Sequence, residues 1–363
     1  MNIIHLVSNK VWGGGERYVL DLGRAQRADG HCVGIFTRRY EAVAKPFADE
    51  GLHSGYLHLG GVIDVVTPVR LAKHLRGIEG PVIVHVHNFK DAYTAVAARR
   101  LCDRKDIYIV ATRHLVRPAK TDKSHLRTLA ALDAVIFVSQ LAHDRFCSTL
   151  PAGFDRSRLH TVVNSIAMPS PLPYPEKDHE NPPRLIYAGR LAHEKGIDVL
   201  LEAMALISDR RWKLDIVGSG LPRDEVAFEK QARALGIADR VDFKGHKADV
   251  FAELAGADIA VLPSRVAEAC PLIIQEAYAC RVAVVTTDIG AQPETVDDGV
   301  TGLLVAPESP RALADAIGRL LDDRDLCHRM GEAGHRKLIS DLSYDKFYKS
   351  IMAIYDGCQH HDK

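Results

Sequence analysis

Two cationic side chains stand five residues apart after a short apolar run in the second half of the chain. The run Leu185–Ala188 is strand-like, and Arg190 and Lys195 follow it on a glycine-bearing segment. A guanidinium and an ammonium at the carboxyl end of a strand can straddle a diphosphate, and their charge can stabilise a departing nucleotide. A solvated loop that carries ordinary charges is the alternative interpretation.

Two carboxylates, Glu268 and Glu276, follow a later apolar strand with seven residues between them. Pro271 lacks an N–H and has a helix-ready φ, so a helix is expected to begin near Leu272. Glu268, in the loop, can accept hydrogen bonds from sugar hydroxyls, and Glu276, on the helix, from ribose hydroxyls. The free N–H groups of Leu272 and Ile273 can meet a phosphate. The alternative is one charge near a helix cap and one partly buried carboxylate.

Glycine-rich turns follow two of the predicted strands. The first strand runs into Trp12, three glycines and Glu16 before a helix, and Gly218 lies in a turn of the second half. Glycine permits close backbone approach, and a helix N-terminus presents N–H groups to an anion. Neither turn has the G-x-G-x-x-G spacing of a dinucleotide fingerprint. A plain tight turn is the alternative at both places.

Short β-branched runs alternate with helical-period segments in both halves, which predicts an α/β protein with two Rossmann-like, parallel-sheet domains. The strands expected in the first half are Asn2–Ser8, Cys32–Thr37, Val82–His87, Ile107–Thr112 and Ala134–Ser139. Those expected in the second half are Arg184–Ala188, Lys213–Val217, Val241–Lys244, Ile259–Leu262 and Ala283–Thr286. Helices are expected at Glu16–Ala28, Pro68–Arg76 and Tyr344–Tyr355.

The periodicity stops between Ala167 and Pro183, where six prolines fix φ and remove backbone donors. We therefore expect a first domain over 1–166, a linker over 167–183 and a second domain over 184–342. Ligands of open parallel sheets bind at the carboxyl ends of the strands. The two domains are thus expected to face each other across a cleft that holds the chemistry.

The formal charge is zero overall but unevenly distributed. Residues 1–165 carry 23 basic and 15 acidic side chains, a balance of +8, whereas residues 166–363 carry 24 and 32, a balance of −8. Scatter among solvated faces is one explanation, and a basic first domain that meets an anionic acceptor or a membrane surface is the other.

The chain of 363 residues is long enough for two cores, and 47% of its residues are hydrophobic. Seven cysteines without a CxxC pair favour a reducing compartment over a disulfide framework or a zinc site. The longest apolar runs have the length of strands, and no signal peptide is recognised before the first one. We therefore expect a cytoplasmic protein.

These motifs, in this order along nearly the whole chain, resemble family 4 of the retaining glycosyltransferases, which have the GT-B architecture. The E-x7-E segment that ends at Glu276 is the mark of that family, and Gly189–Gly196 resembles its G-R-L-x-x-x-K-G segment. Gly13–Glu16 matches its N-terminal G-G-x-E turn. In Val162–Ile166, which resembles the V-x-N-G segment, Ser165 replaces the usual glycine. Ala269-Cys270-Pro271 likewise replaces a common Phe-Gly pair, which leaves the shape of the sugar pocket open.

The resemblance implies a nucleotide-sugar donor in the second domain and an acceptor side in the first, with residues 343–363 crossing back to the first domain. It implies that the catalytic residues are His114, Glu268, Arg190 and Lys195. The implied donor-binding residues are Gly14, Gly15, Arg190, Lys195, Gly218, His246, Glu268, Leu272, Ile273 and Glu276. The implied acceptor-side residues are Trp12, Gly13, Glu16 and Arg117. For His114, a satisfied structural histidine is the alternative.

Neither a metal nor a cofactor is expected beyond the nucleotide-sugar co-substrate. Metal-dependent transferases commonly use an Asp-x-Asp pair, and its only match, Asp323-Arg324-Asp325, lies in a polar stretch between predicted helices. Arg190, Lys195 and helix N–H groups would then offset the charge of the leaving diphosphate. We expect a hexosyltransferase that works by front-face transfer with retention.

The acceptor is expected to be a glycan or a lipid-linked glycan, and the donor a UDP- or GDP-sugar. By resemblance, the pathway is cell-surface polysaccharide or lipopolysaccharide synthesis. The loop Val116–Arg127 holds a basic cluster, Arg117, Lys120, Lys123 and Arg127, that can meet a phosphorylated glycan or the inner membrane face, or can simply be solvated.

Three other functions remain as alternatives: a nucleotide-sugar 2-epimerase of the same architecture, an NAD-dependent oxidoreductase, and a non-catalytic sugar-nucleotide binding module. The absence of a dinucleotide fingerprint weighs against the oxidoreductase. The balanced charge and the absence of an aromatic-studded basic strand weigh against nucleic acid as a partner.

Overall fold

A computed structural model describes residues 1–59, 64–169 and 181–360. The chain forms two compact units: unit 1 is Met1–Asn164 with Tyr344–Lys363, and unit 2 is Ser165–Ser343. Each unit holds one parallel sheet with helices between its strands, which confirms the predicted pair of Rossmann-like domains. Most of the predicted linker, including Pro171, Pro173 and Pro175, lies outside the described residues.

Unit 1 contains a seven-stranded sheet. Its strands are β1 Asn2–Val7, β2 Cys32–Thr37, β3 His53–Tyr56, β4 Val82–Val86, β5 Ile107–Arg113, β6 Ala134–Phe137 and β7 Leu159–Thr161. Its helices are α1 Gly14–Ala28, α2 Glu41–Asp49, α3 Val66–Arg76, α4 Phe89–Cys102, α5 Lys123–Ala130, α6 Gln140–Cys147 and, from the far end of the chain, α14 Tyr344–His360.

The strand order in unit 1 is β3-β2-β1-β4-β5-β6-β7, so β1, β4 and β5 lie at its centre. All five predicted strands are present, within one or two residues of their predicted ends. The two missed strands, β3 and β7, are the edges of the sheet, and their side chains are partly or fully exposed. Edge strands with mixed composition lack the continuous apolar run that marks a buried parallel strand.

Unit 2 contains a six-stranded sheet. Its strands are β8 Arg184–Ala188, β9 Lys213–Val217, β10 Val241–Gly245, β11 Ile259–Leu262, β12 Ala283–Thr287 and β13 Gly302–Val305. Its helices are α7 Ile197–Leu206, α8 Pro222–Ala234, α9 Val250–Ala255, α10 Leu272–Ala279, α11 Gln292–Thr295, α12 Pro310–Asp322 and α13 Arg324–Ser340, with 3-10 turns at His193–Lys195 and Ala238–Arg240. The order is β10-β9-β8-β11-β12-β13, and the sequence missed only the edge strand β13.

The structure corrects two predictions made from the sequence. Ser165 and Ile166, assigned to the first domain, belong to unit 2, because Ile166 packs into its core and the Ser165 hydroxyl donates to the carbonyl of Leu342 at 2.5 Å. The segment Val116–Arg127 is not entirely a loop, because its last part forms the start of α5. Among the described residues no helix has both the length and the apolar character needed to cross a bilayer.

Helix α14 belongs to the core of unit 1. Phe347, Ile351 and Tyr355 are buried against apolar side chains of the sheet and of α1. The Tyr355 hydroxyl also forms a hydrogen bond of 2.5 Å with Nδ1 of His85 on β4. Because a buried hydroxyl needs a partner, this bond fixes where α14 packs along the sheet.

Two fully buried histidines lie on the central strands of unit 1. Both ring nitrogens of His85 are engaged, Nδ1 by Tyr355 and Nε2 by the Thr112 hydroxyl at 2.7 Å. His5, on β1, is equally buried. Burial lowers the pKa of His5 to about 4 and lowers the pKa of His85 well below its ordinary value. Both rings are therefore neutral in the folded protein at neutral pH.

The buried histidines predict that unit 1 loses stability in mild acid. The unfolded chain binds protons near pH 6.5 and the folded chain does not, so the free energy of unfolding should fall as the pH drops below about 6.5. The expected slope is up to about 1.4 kcal/mol per pH unit for each histidine. Urea unfolding between pH 7 and 5 tests this prediction. Tryptophan fluorescence reports on unit 1 in a Trp212→Phe variant, because Trp12, in unit 1, is then the only tryptophan left.

His85→Gln should reduce the pH slope, whereas His328→Gln, at an exposed position in unit 2, should leave it unchanged. A free energy of unfolding that stays constant from pH 7 to 5 would contradict the neutral, buried state of these rings.

Candidate active site

Three predicted donor residues of unit 2, Arg190, Lys195 and Glu268, lie on loops that follow the neighbouring strands β8 and β11. The loops after β8, β11 and β12 pack backbone against backbone. A Cβ at Gly196, which has φ +72°, would collide with the carbonyl oxygen of Pro263, and one at Gly290, with φ +69°, would press on the backbone of Glu268. The carbonyl of Glu268 also accepts from the Ala291 N–H at 2.8 Å. Glycine at these two positions lets the three loops approach one another.

This loop packing brings Lys195 to Glu268. The Lys195 ammonium donates to Oε2 of Glu268 at 2.6 Å, and the hydroxyl of Ser264 donates to Oε1 of the same carboxylate. The two charged side chains are only 19% and 16% exposed, so solvent screens them weakly. The structure thus pairs one predicted diphosphate ligand with the predicted sugar ligand.

Arg190 lies beside this pair but points its charge outward. Its guanidinium meets the Glu194 carboxylate at 2.5 Å, and both side chains are exposed. The backbone of Arg190 is fixed by the hydroxyl of Tyr187, which donates to the Arg190 carbonyl at 2.8 Å. Burial, together with the negative charge of Glu268, raises the pKa of Tyr187 so that this hydroxyl stays protonated. The Glu194 carboxylate interacts electrostatically with both Arg190 and Lys195, so Arg190, Glu194, Lys195 and Glu268 form one charged group.

The helix that carries Glu276 begins where the sequence predicted. Helix α10 starts at Leu272, Pro271 is its N-cap, and no side chain caps it. The first-turn amides of Leu272 and Ile273 are therefore oriented as they would be for an anion. Glu276 lies on α10 and is half-buried.

Two further predicted donor residues, Gly218 and His246, follow β9 and β10. A Cβ at Gly218 would collide with the carbonyl of Gly189, and the Gly218 N–H donates to Gly245 at 2.8 Å, so packing alone requires a glycine there. His246 follows β10, the edge strand next to β9, and its side chain is exposed.

The glycine turn of unit 1 is closed by its own glutamate. Glu16, in the first turn of α1, is buried and accepts from the side chain of Asn9 at 2.5 Å and from the backbone near Gly13. Burial raises the pKa of Glu16, and these hydrogen bonds oppose the rise. The start of α1 is thus occupied by a carboxylate. Trp12 packs against Phe47. In the turn, Gly14 is exposed and Gly15 is partly exposed.

His114 follows β5 and is partly buried. Its ring packs edge-on against Tyr18, with centroids 4.9 Å apart, and lies 5.8 Å from the ring of His87. Burial, with the adjacent charge of Arg113, lowers the pKa of His114 to about 4. A neutral imidazole can position a sugar hydroxyl but cannot act as a cationic acid at neutral pH.

The sequence missed two side chains that hold the second-unit loops. Ser264 binds Glu268, and Arg265 binds Asp198 on α7 at 2.8 Å and the carbonyl of His193 at 3.1 Å. The sequence held a signal for Ser264, because its hydroxyl lies four residues before Glu268. It held no signal for the partners of Arg265, because Asp198 lies 67 positions away.

The Asp-x-Asp match has a structural role. Asp323 caps α13 by accepting from the N–H of Leu326 at 2.8 Å, and Asp325 lies in the first turn of that helix. Among the described residues, the side chains close enough to share an ion are instead His5, His85 and His87, whose ligand atoms lie within 4.8 Å of one another.

An open groove of about 760 Å³ lies at the other edge of the unit 1 sheet, before β5. Its cations are partly neutralised, because Arg99 pairs with Asp133 at 2.6 Å and Arg104 with Asp106 at 2.8 Å. Ligands of open parallel sheets bind at the opposite, carboxyl edge of the sheet, so this groove is not the expected ligand site of unit 1.

Two family models match the chain one after the other. "Glycosyltransferase Family 4" matches residues 12–168, and "Glycosyl transferases group 1" matches residues 174–337. The second match contains the charged group and α10.

Relatives and solved structures agree with these matches. The chain is similar to alpha-D-kanosaminyltransferase of Streptomyces kanamyceticus, with 35% identity over 41% of this chain and only 39% of that protein. It is similar over 95% of its length, and 96% of the relative's, to alpha-maltose-1-phosphate synthase of Mycolicibacterium smegmatis, with 28% identity. The crystal structure of Anabaena HepE in complex with UDP-glucose has the same fold, with a TM-score of 0.83, 18% identity and coverage of 98% of this chain and 100% of that one.

The loop packing predicts that Gly196→Ala destabilises unit 2 more than Gly299→Ala. Both glycines have a left-handed φ, but a Cβ at Gly299 meets nothing within 4 Å, so only the backbone strain of about 1–2 kcal/mol applies there. At Gly196 the Pro263 backbone must also move. Urea unfolding of both variants measures the difference, and equal losses would show that the close approach carries no energetic weight.

Proposed function

The chain belongs to family 4 of the glycosyltransferases, and we propose that it moves a hexosyl group from a nucleotide-diphospho-sugar to a glycan or lipid-linked acceptor. The donor is a UDP- or GDP-sugar, the anomeric configuration is retained, and no metal takes part. We place the reaction in the cytoplasm, in the synthesis of a cell-surface polysaccharide or lipopolysaccharide.

The observation that carries this proposal is the ion pair between Lys195 and Glu268. An ammonium has three protons, so Lys195 can bind Glu268 and still donate to a diphosphate oxygen. Arg190, exposed on the same loop, supplies a second cation. Two fixed cations and the uncapped amides of Leu272 and Ile273 can offset the charge that develops on the leaving group without a metal ion.

Glu268 orients the donor sugar in this proposal and is not a nucleophile. Both of its oxygens are engaged, by Lys195 and by Ser264, which holds the carboxylate in place and lowers its reactivity. Attack and departure then occur on one face of the sugar: the acceptor oxygen bonds to the anomeric carbon, the bond to the diphosphate breaks, and a diphosphate oxygen takes the acceptor proton. Glu276 binds the ribose, and the loop after β10, with His246, lies by the base.

The acceptor side of the proposal lies in unit 1. His114 is neutral and can bind a sugar hydroxyl. Arg117 and Lys120 are exposed in the segment after it, and Lys123 and Arg127 lie one helical turn apart on α5, also exposed. Four unburied cations can meet the phosphates of a lipid-linked glycan or an anionic membrane surface.

Thermal unfolding with a panel of UDP-, GDP-, ADP- and TDP-sugars identifies the donor, because a ligand of the native state raises the melting temperature. UDP-glucose is the first compound to test, since the related HepE structure holds it. A product assay on the donor that binds then separates transfer from epimerisation: transfer releases a nucleoside diphosphate, and epimerisation does not.

Lys195→Ala should reduce turnover roughly a hundredfold or more, because the leaving diphosphate loses a fixed cation. Glu268→Gln should also impair transfer, and Lys230→Ala, at an exposed site on α8, serves as the matched control. Initial rates with the identified donor, together with unfolding midpoints, give the comparison. A Lys195→Ala enzyme that folds and turns over like the Lys230→Ala enzyme would exclude the diphosphate role.

Treatment with EDTA should leave the transfer rate unchanged, because cations and helix amides alone stabilise the leaving group. The rate is measured before and after chelation and again after Mg²⁺ or Mn²⁺ is added. A loss of activity that Mn²⁺ restores would contradict the metal-free proposal.

A further inference from the structure

Three residues that directly follow strands of the unit 1 sheet each carry a polar atom with no hydrogen-bond partner among the described residues. These atoms are Oγ of Ser8, Nδ1 of His87 and Nε2 of His114, and each is shielded from solvent. Ser8 and His87 are more than nine-tenths buried. These residues directly follow β1, β4 and β5, three strands that are neighbours in the sheet. Unpaired buried polar atoms are costly, and three of them at one sheet edge indicate a binding subsite.

A chain of hydrogen bonds sets the proton on His87. Nε2 of His5 lies 2.8 Å from the side-chain oxygen of Gln26, which can only accept, so His5 carries its proton on Nε2. The amide nitrogen of Gln26 faces the sulfur of Met352 instead. Nδ1 of neutral His5 is therefore bare and accepts from Nε2–H of His87 at 3.0 Å.

It follows that Nδ1 of His87 is an acceptor. Burial, with the neighbouring histidines, keeps the pKa of His87 well below its ordinary value, so the ring is neutral. A neutral imidazole has one N–H and one lone pair, and His5 already takes the N–H. A group that forms a hydrogen bond with Nδ1 of His87 must therefore be the donor. A phosphate oxygen at neutral pH offers only lone pairs, whereas a sugar hydroxyl offers a proton.

We propose that His87 Nδ1, with Ser8 and His114, forms a subsite in unit 1 that binds a hydroxyl group of the acceptor sugar. Gln26 and His5 are positioning residues that hold His87 as an acceptor. This inference rests on the proposed function. It adds uncharged groups to the exposed cations that contact the acceptor.

A metal ion is the competing occupant of this cluster. Both nitrogens of His85 are taken by Tyr355 and Thr112, and both nitrogens of His5 by Gln26 and His87. An ion bound by all three histidines would have to break several of these buried bonds. The hydrogen-bond chain explains the same geometry without that cost, and the experiment tests both occupants.

The test is ¹⁵N NMR of the full chain labelled on histidine, titrated with methyl glycosides of glucose, galactose, mannose and N-acetylglucosamine. His87→Gln assigns the resonance, and it retains an amide that can reach His5. We expect His87 to be the neutral tautomer with a bare Nδ1. At least one glycoside should move that Nδ1 resonance towards the hydrogen-bonded range, while the exposed His328 stays constant.

Binding of that glycoside gives a second readout. His87→Gln should weaken its affinity about tenfold, the loss of one hydrogen bond. His87→Asn, which retains a polar atom near the position of Nδ1, should recover part of the loss. Binding of UDP should be the same in both variants, because unit 2 is unchanged.

Three results would overturn the subsite: a proton on Nδ1 of His87, an Nδ1 resonance that no glycoside moves although UDP binds, or stoichiometric zinc in the purified protein that His87→Gln removes. A protein that binds no nucleotide or nucleotide sugar would instead count against the proposed function, so the two failures are distinguishable.

Discussion

Backbone contact between the loops after β8, β11 and β12 is the constraint on which the charged group of unit 2 depends. Lys195 and Glu268 are 73 positions apart, and only the close approach at Gly196 and Gly290 brings their charges to 2.6 Å. Residues larger than glycine at these two positions would push the loops apart. Lys195 and Glu268 would then separate although neither side chain had changed. The geometry of the charged group is thus set by residues that carry no functional group.

The charged group of unit 2 and the histidine cluster of unit 1 contain polar groups of different kinds. Unit 2 presents a partly screened ion pair and an exposed arginine, whereas unit 1 buries neutral histidines in a hydrogen-bond chain. Even the helix start in unit 1, the usual place for an anion, already holds the Glu16 carboxylate. This division suits a donor that carries negative charge and an acceptor that is recognised through hydroxyl groups.

The sequence predicted the central strands and the start of α10, because continuous β-branched runs and a proline at a helix start are local signals. It missed the edge strands β3 and β7, which lack such runs, and the edge strand β13, whose apolar run has a single β-branched residue, Val305. It selected Lys195 and Glu268 separately, but their pairing depends on strand order, which no local pattern encodes. The histidines on β1 and β4 escaped notice for the same reason: His5 reaches His87 only once the two strands are neighbours.

Unit 1 is assembled from both ends of the chain, with all of unit 2 between them. A ribosome therefore releases the seven strands of unit 1 long before Tyr355 exists to satisfy His85. Until then the apolar side chains that α14 covers remain open to water and to other nascent chains. During translation the first unit to begin is therefore the last to be complete, because all of unit 2 is synthesised before α14.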